Sequence, residues 1–133
     1  VSIPMFQNTT SEPNIEIEVT NQLRRRFITD GRLKVVEKSG QLLLNGKITY
    51  YNLLPLAFDE KNNVSEYWVQ IDFLLVLNDR ERNEELINQS FTTKWHYKVT
   101  SEIKDTESQR RDAIREASID SADTIVSLVI EGF

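Results

Sequence analysis

The chain has 133 residues, 39% of them hydrophobic and 28% charged, with a formal net charge of -5 and no cysteine. That size suits one hydrophobic core and a single domain over residues 1–133. The acidic balance excludes broad nucleic-acid binding, which needs a basic surface to displace counterions from phosphates. The lack of cysteine excludes disulfides, thiolate catalysis and sulfur-ligated metal sites.

No apolar run approaches the roughly 20 residues that a membrane-spanning helix needs. The chain opens on Val1-Ser2-Ile3-Pro4-Met5-Phe6, which already reads as a strand. A trimmed N-terminal targeting or anchoring segment is therefore expected. Gln7-Asn8-Thr9-Thr10-Ser11-Glu12-Pro13 then gathers turn formers and capping residues, the usual punctuation between a strand and a helix. From Asn14 to Asp30, the residues Ile15, Val19, Leu23 and Phe27 recur every four positions as one apolar stripe, and Asp30-Gly31 supplies the stop. The alternation from Ile15 to Val19 also fits the start of a strand, but the stripe continues at helical spacing past it. Arg24, Arg25 and Arg26 fall in the C-terminal half, where cations complement the helix dipole.

Leu33 to Glu37 and Leu42 to Tyr51 fit two strands, or one strand interrupted at Lys38-Ser39-Gly40-Gln41. In the second, Leu42, Leu44, Ile48 and Tyr50 alternate against Leu43, Asn45, Lys47, Thr49 and Tyr51. Asn52 to Asn63 contains Pro55 and the polar run Asp59-Glu60-Lys61-Asn62-Asn63 and reads as a long loop, a kind of segment that often carries function. Val64 to Leu77 is the clearest strand, with Tyr67, Val69, Ile71, Phe73, Leu75 and Leu77 on one face. Asn78 to Asn83 is a polar turn, and Leu86 to Val99 returns as the partner with Ile87, Phe91, Trp95, Tyr97 and Val99 on its apolar face. After a polar linker, Thr106 and Gln109 fit a capping box, and Ile114, Ala117, Ser121, Ile125 and Leu128 supply a second amphipathic helix.

This order predicts an α+β fold: a mixed, largely antiparallel sheet of four to five strands with two α-helices packed on one face. The other sheet face stays uncovered and would carry Lys47, Thr49, Tyr51, Trp68, Gln70, Asp72, Thr92, Lys94 and His96. Such a face fits either a docking surface or an ordinary solvated antiparallel sheet.

Catalytic chemistry finds little support. His96 is the only histidine, so Ser-His-Asp, Cys-His and multi-histidine metal arrangements lack their parts. A carboxylate pair for glycoside hydrolysis could be drawn from Asp59, Glu60, Glu66, Asp72, Glu84 or Glu85, but spacing alone brings no two of them together. The four glycines, at 31, 40, 46 and 132, form no phosphate-cradling loop. The pattern points to a binding module without enzyme activity, cofactor or metal, with a small hydrolase as the contrasting reading.

The opening Ser2-Ile3-Pro4-Met5-Phe6-Gln7-Asn8-Thr9-Thr10, then Leu23-Arg24-Arg25-Arg26-Phe27, Leu33-Lys34-Val35-Val36 and Leu42-Leu43-Leu44-Asn45-Gly46-Lys47-Ile48, together resemble the LptE family of lipopolysaccharide-assembly lipoproteins. The hairpin from Glu66-Tyr67 and the final helix continue the resemblance over the whole chain. Its opening is also similar to curli-secretion lipoproteins and to the amino-terminal domain of TolB. The LptE resemblance implies an outer-membrane lipoprotein facing the periplasm, seated inside an LptD-type outer-membrane β-barrel and binding lipopolysaccharide. It implies membrane attachment through a lipidated N-terminal cysteine, which this sequence lacks.

With those partners implied, two sets of residues become candidates. The uncovered sheet face offers Lys47, Thr49, Tyr51, Trp68, Gln70 and Lys94 to a barrel. Because the two long strands form an antiparallel hairpin, the segments Asn52 to Asn63 and Thr100 to Asp105 are expected at one end of the sheet. That places Lys61, Lys98 and Lys104 near one another for the phosphates of the glycolipid, with Phe58 and Tyr97 beside them.

Overall fold

A computed structural model describes residues 1–99 and 106–132. In chain order the elements are β1 (Gln7–Asn8), α1 (Ile15–Asp30), β2 (Leu42–Phe58), β3 (Val64–Asp79), β4 (Glu84–Lys98) and α2 (Thr106–Glu131). The sheet has the order β1-β2-β3-β4. β1 runs parallel to β2, while β2, β3 and β4 form an antiparallel meander. The fold is therefore α+β with a mixed four-stranded sheet, and both helices bury their stripes on one side of it.

The helix stripe behaves as its spacing dictates. Ile15, Val19, Leu23 and Phe27 are all at most 1% exposed, because a four-residue repeat keeps them on one side of the helix. Gly31 ends α1 at φ 78°, and its N–H closes on the Phe27 carbonyl; only glycine takes that left-handed conformation without strain. Across the sheet, Val69, Ile71, Phe73, Leu75 and Leu77 are at most 1% exposed. Phe73 lies at the centre, stacked on Phe91 with ring centroids 5.0 Å apart and edge-on to Phe6 at 6.4 Å. Phe6 passes directly over Gly46, where an added Cβ would come within 2.3 Å of its ring. The close approach of the N-terminal segment to β2 depends on that missing side chain.

α2 buries small residues, Ala113, Ala117, Ser118, Ser121 and Ala122, before its apolar C-terminal turns at Ile125, Val126 and Val129. Ser121 donates to the Ala117 carbonyl (2.7 Å), which leaves it the acceptor for Thr93 across the interface (2.7 Å). Arg26 on α1 pairs with Asp123 on α2.

Three expectations change. The opening strand over residues 1–6 shrinks to a single parallel bridge, Ser2 with Leu43, before β1 begins at Gln7. Pro4 has no N–H to donate, the Phe6 N–H turns to Thr20 Oγ1 (3.0 Å), and the Ile3 carbonyl is taken by Arg24 (2.7 Å). Leu33 to Glu37 forms no strand. Its backbone meets the Val1 carbonyl once, through the Val36 N–H, while Leu33 and Val35 pack on the core from an irregular segment. The long loop at Asn52 to Asn63 is also absent: β2 runs on to Phe58 and only the tight turn Asp59 to Asn63 remains. Pro55 is tolerated there because β1 pairs with β2 only at Lys47 and Ile48, so the far half of β2 is an outer edge.

Candidate functional site

Among the described residues no helix covers the second face of the sheet, and the residues of that face come together in cross-strand rows. Lys47 faces Leu74 and Ser90; Tyr50 faces Asp72 and Thr92; Asn52 faces Gln70 and Lys94; Leu54 faces Trp68 and His96. Hydrogen bonds order the polar part: Thr92 Oγ1 donates to Asp72 Oδ1 at 2.8 Å and Gln70 Nε2 to the same oxygen at 3.2 Å. Thr49 is exposed and donates to the Asp72 carbonyl (3.3 Å). His96 sits 3.0 Å from Glu66 and tilts against Trp68 with ring centroids 6.4 Å apart.

Lys47, Thr49, Trp68, Gln70 and Lys94 thus share the open face. Tyr51, expected there from strict alternation, does not. Ile48 pairs with Phe73 and Tyr50 with Asp72, so Thr49 is an extra residue in β2. Such a bulge inverts the alternation beyond it. Tyr51 turns to the helix-covered side opposite Ile71, and Tyr50 and Leu54, 44% and 46% exposed, take up the open face instead. A signal for this exists in the sequence. The doublets Tyr50-Tyr51 and Leu53-Leu54 put bulky residues on both faces of any strand that holds them, and this calls for apolar surface on the uncovered side.

On the covered side Tyr51 lies near a polar cluster. Glu12, 7% exposed, pairs with Arg110 of α2, which also donates to Glu107 at 2.6 and 3.1 Å. Burial, and then the negative charge of Glu12, push the Tyr51 phenol well above its usual range. Its hydroxyl is buried without a hydrogen-bond partner among the described residues. Nearby, Tyr67 donates to Gln109 Oε1 (3.1 Å), a second polar tie between the sheet and the first turns of α2.

The second candidate region is the end of the sheet where β2 turns into β3 and β4 ends. Asp59 organises the turn, its carboxylate accepting from the N–H groups of Lys61 (2.8 Å) and Asn63 (2.9 Å). Lys98 pairs across the ladder with Glu66, two residues beyond Val64, so Lys61 and Lys98 lie at the same end. Lys104 lies outside the described residues. At the end of β2, Leu56 and Phe58 are 51% and 58% exposed. Tyr97 faces Tyr67 on the covered side.

Among the described residues, no group of three His, Cys, Asp or Glu side chains could hold a metal ion, and no helix is long and apolar enough to cross a membrane.

Comparisons with known proteins converge. The model of the family described as LptE, lipopolysaccharide-assembly, matches residues 1–129. Among solved structures, the rare lipoprotein B of Shewanella oneidensis is similar at 15% identity, covering 98% of this chain and 95% of its own, with a TM-score of 0.56. A protein from Xanthomonas campestris superposes with a TM-score of 0.68 at 10% identity, over 98% of this chain and 82% of its own. A minor lipoprotein from Acinetobacter baumannii does so with a TM-score of 0.53 at 14% identity, over 93% and 90%. At such identities the likeness shows a common fold. No curated protein matches the chain at a significant level.

Proposed function

The chain belongs to the LptE lipopolysaccharide-assembly family, and from that premise we propose that it is the lipoprotein component of an outer-membrane lipopolysaccharide translocon. In this reading it is a lipid-anchored protein at the periplasmic face of the outer membrane. Its open sheet face packs inside an LptD-type β-barrel, and the hairpin end takes part in binding lipopolysaccharide. It acts by binding and positioning rather than by catalysis.

The observation that carries the reading is the family match across residues 1–129, which includes the long hairpin and α2 as well as the opening segment. The uncovered face supports it: Trp68, Tyr50 and Leu54 put apolar surface among Lys47, Gln70 and Lys94, the mixed composition found at protein interfaces. Lys61 and Lys98 supply ammonium groups for phosphate, but Asp59, Glu60 and Glu66 share that end of the sheet. Attraction there comes from individual contacts rather than from a net field, and so should be weak and salt-sensitive.

Co-purification of the full-length lipoprotein from outer membranes tests the reading. A stable complex with a large β-barrel, lost when Trp68→Glu and Leu54→Glu are combined, is the expected result. Recovery of the wild-type protein without any barrel would overturn it.

A further inference from the structure

A groove of 440 Å³ runs between the outer edge of β4 and α2, bordering the open face at His96 and the hairpin end at Lys98. It is lined by Trp95–Lys98 along the strand and by Asp112, Arg115 and Glu116 on the helix. Trp95 and Tyr97, two residues apart on the same side of β4, are half-buried against the core and line the groove. Arg115 lies 4.0 Å from Asp112 and 3.9 Å from Glu116, at the outer limit of an ion pair, and its side chain is 54% exposed.

We propose that this groove is a saccharide-binding site. It rests on the preceding reading only for the choice of glycan, and names the part of the glycolipid that would be held here. The charges decide against other ligands. Among the described residues of the lining, Lys98 and Arg115 are matched by Asp112 and Glu116, so a phosphate held between strand and helix, rather than at the Lys61 end, would meet two carboxylates for its two cations. A purely apolar chain would strip water from four charged groups without replacing their hydrogen bonds. An added β-strand is discouraged by Lys94 and Lys98 along the same edge. A neutral ligand rich in hydroxyls fits. The forked guanidinium offers donors and the carboxylates offer acceptors to adjacent hydroxyls, while the amphipathic rings of Trp95 and Tyr97 present apolar surface to the C–H face of a sugar.

The two tryptophans make the test direct, because each indole N–H gives its own NMR signal: Trp68 reports on the open face and Trp95 on the groove. The intact protein would be titrated with lipid-free, dephosphorylated core oligosaccharide, with inorganic phosphate and with whole lipopolysaccharide, and the two signals assigned with Trp68→Phe. The oligosaccharide should shift the Trp95 signal and leave that of Trp68 in place. Arg115→Ala and Glu116→Gln, both at the helix surface, should each weaken this binding about tenfold, the loss of one charge-assisted hydrogen bond, with an unchanged melting transition. No Trp95 shift at millimolar oligosaccharide, an equal shift in both variants, or a shift reproduced by phosphate would each overturn the proposal. If whole lipopolysaccharide binds while the oligosaccharide does not, the saccharide groove fails and the lipopolysaccharide reading stands. If neither binds, both fall.

Discussion

Tyr51 pairs across the β2–β3 ladder with Ile71, on the side of the sheet that the helices cover. Its hydroxyl is buried there without a partner among the described residues, and an unmatched buried hydroxyl costs about 1–3 kcal/mol in lost hydration. Tyr51→Phe removes the orphan and keeps the ring. The expected outcome is unchanged or raised stability, by up to about 1 kcal/mol, read from urea unfolding. A loss larger than that would mean the hydroxyl has a partner, such as an ordered water.

Phe73 tests the core. It is 1% exposed between Phe6 and Phe91, so Phe73→Ala leaves a cavity that three elements would have to collapse to fill. A cost of about 3–5 kcal/mol is expected. A cost below about 1 kcal/mol would contradict the buried position.

The Arg110–Glu12 pair joins α2 to the segment before α1. Removing Arg110 leaves the Glu12 carboxylate, 7% exposed, without its cation. Arg110→Ala should cost about 1.5–3 kcal/mol, the range for hydrogen bonds to charged groups. Adding Glu12→Gln should recover part of it. A double-mutant cycle with no coupling between the two sites would show that the pair contributes nothing.

Asp120 gives a pH dependence. Burial first, and then the neighbouring charge of Asp123, raise its pKa above 3.8. The folded state therefore holds this proton more tightly than the unfolded chain does. The ionised carboxylate destabilises the fold above the folded pKa, and that penalty fades as the pH falls toward and below 3.8. Asp120→Asn should accordingly raise the melting temperature slightly at pH 7, with a difference that shrinks on acidification. A difference that is constant with pH would rule out titration of Asp120 as its source.

Reversing Lys61, Lys98 and Lys104 together to glutamate tests the lipopolysaccharide end. Binding should weaken at low salt while the melting transition hardly moves, since Lys61 and Lys98 are exposed and such contacts are point-charge and screened. Undiminished binding would direct attention to Lys47 and Lys94 on the open face.

Much of this architecture can be read from local pattern. Ile15, Val19, Leu23 and Phe27 define a helix face, and Gly31 its end, because spacing and φ preference act within one element. The run from Tyr67 to Leu77 likewise names its own buried face. Leu33 to Glu37 shows the limit: its composition suits a strand, but a strand exists only where a second backbone answers its hydrogen bonds in a ladder, and there the terminal Val1 answers with its carbonyl to Val36 and its ammonium to Lys34.

The family was also legible, because order and spacing of segments survive where single residues vary. The membership of the open face was not. One extra residue, Thr49, exchanges Tyr51 for Tyr50 and brings Leu54 beside Trp68, and a bulge is a property of two strands in register rather than of either sequence. The groove between β4 and α2 is equally a product of packing. Trp95 and Arg115 stand 20 positions apart in the chain and share a surface because the helix folds back along the strand. The periodicity of the apolar residues names the faces that must be buried; what the remaining faces present follows from register and helix placement, which are settled between elements and not within any one of them.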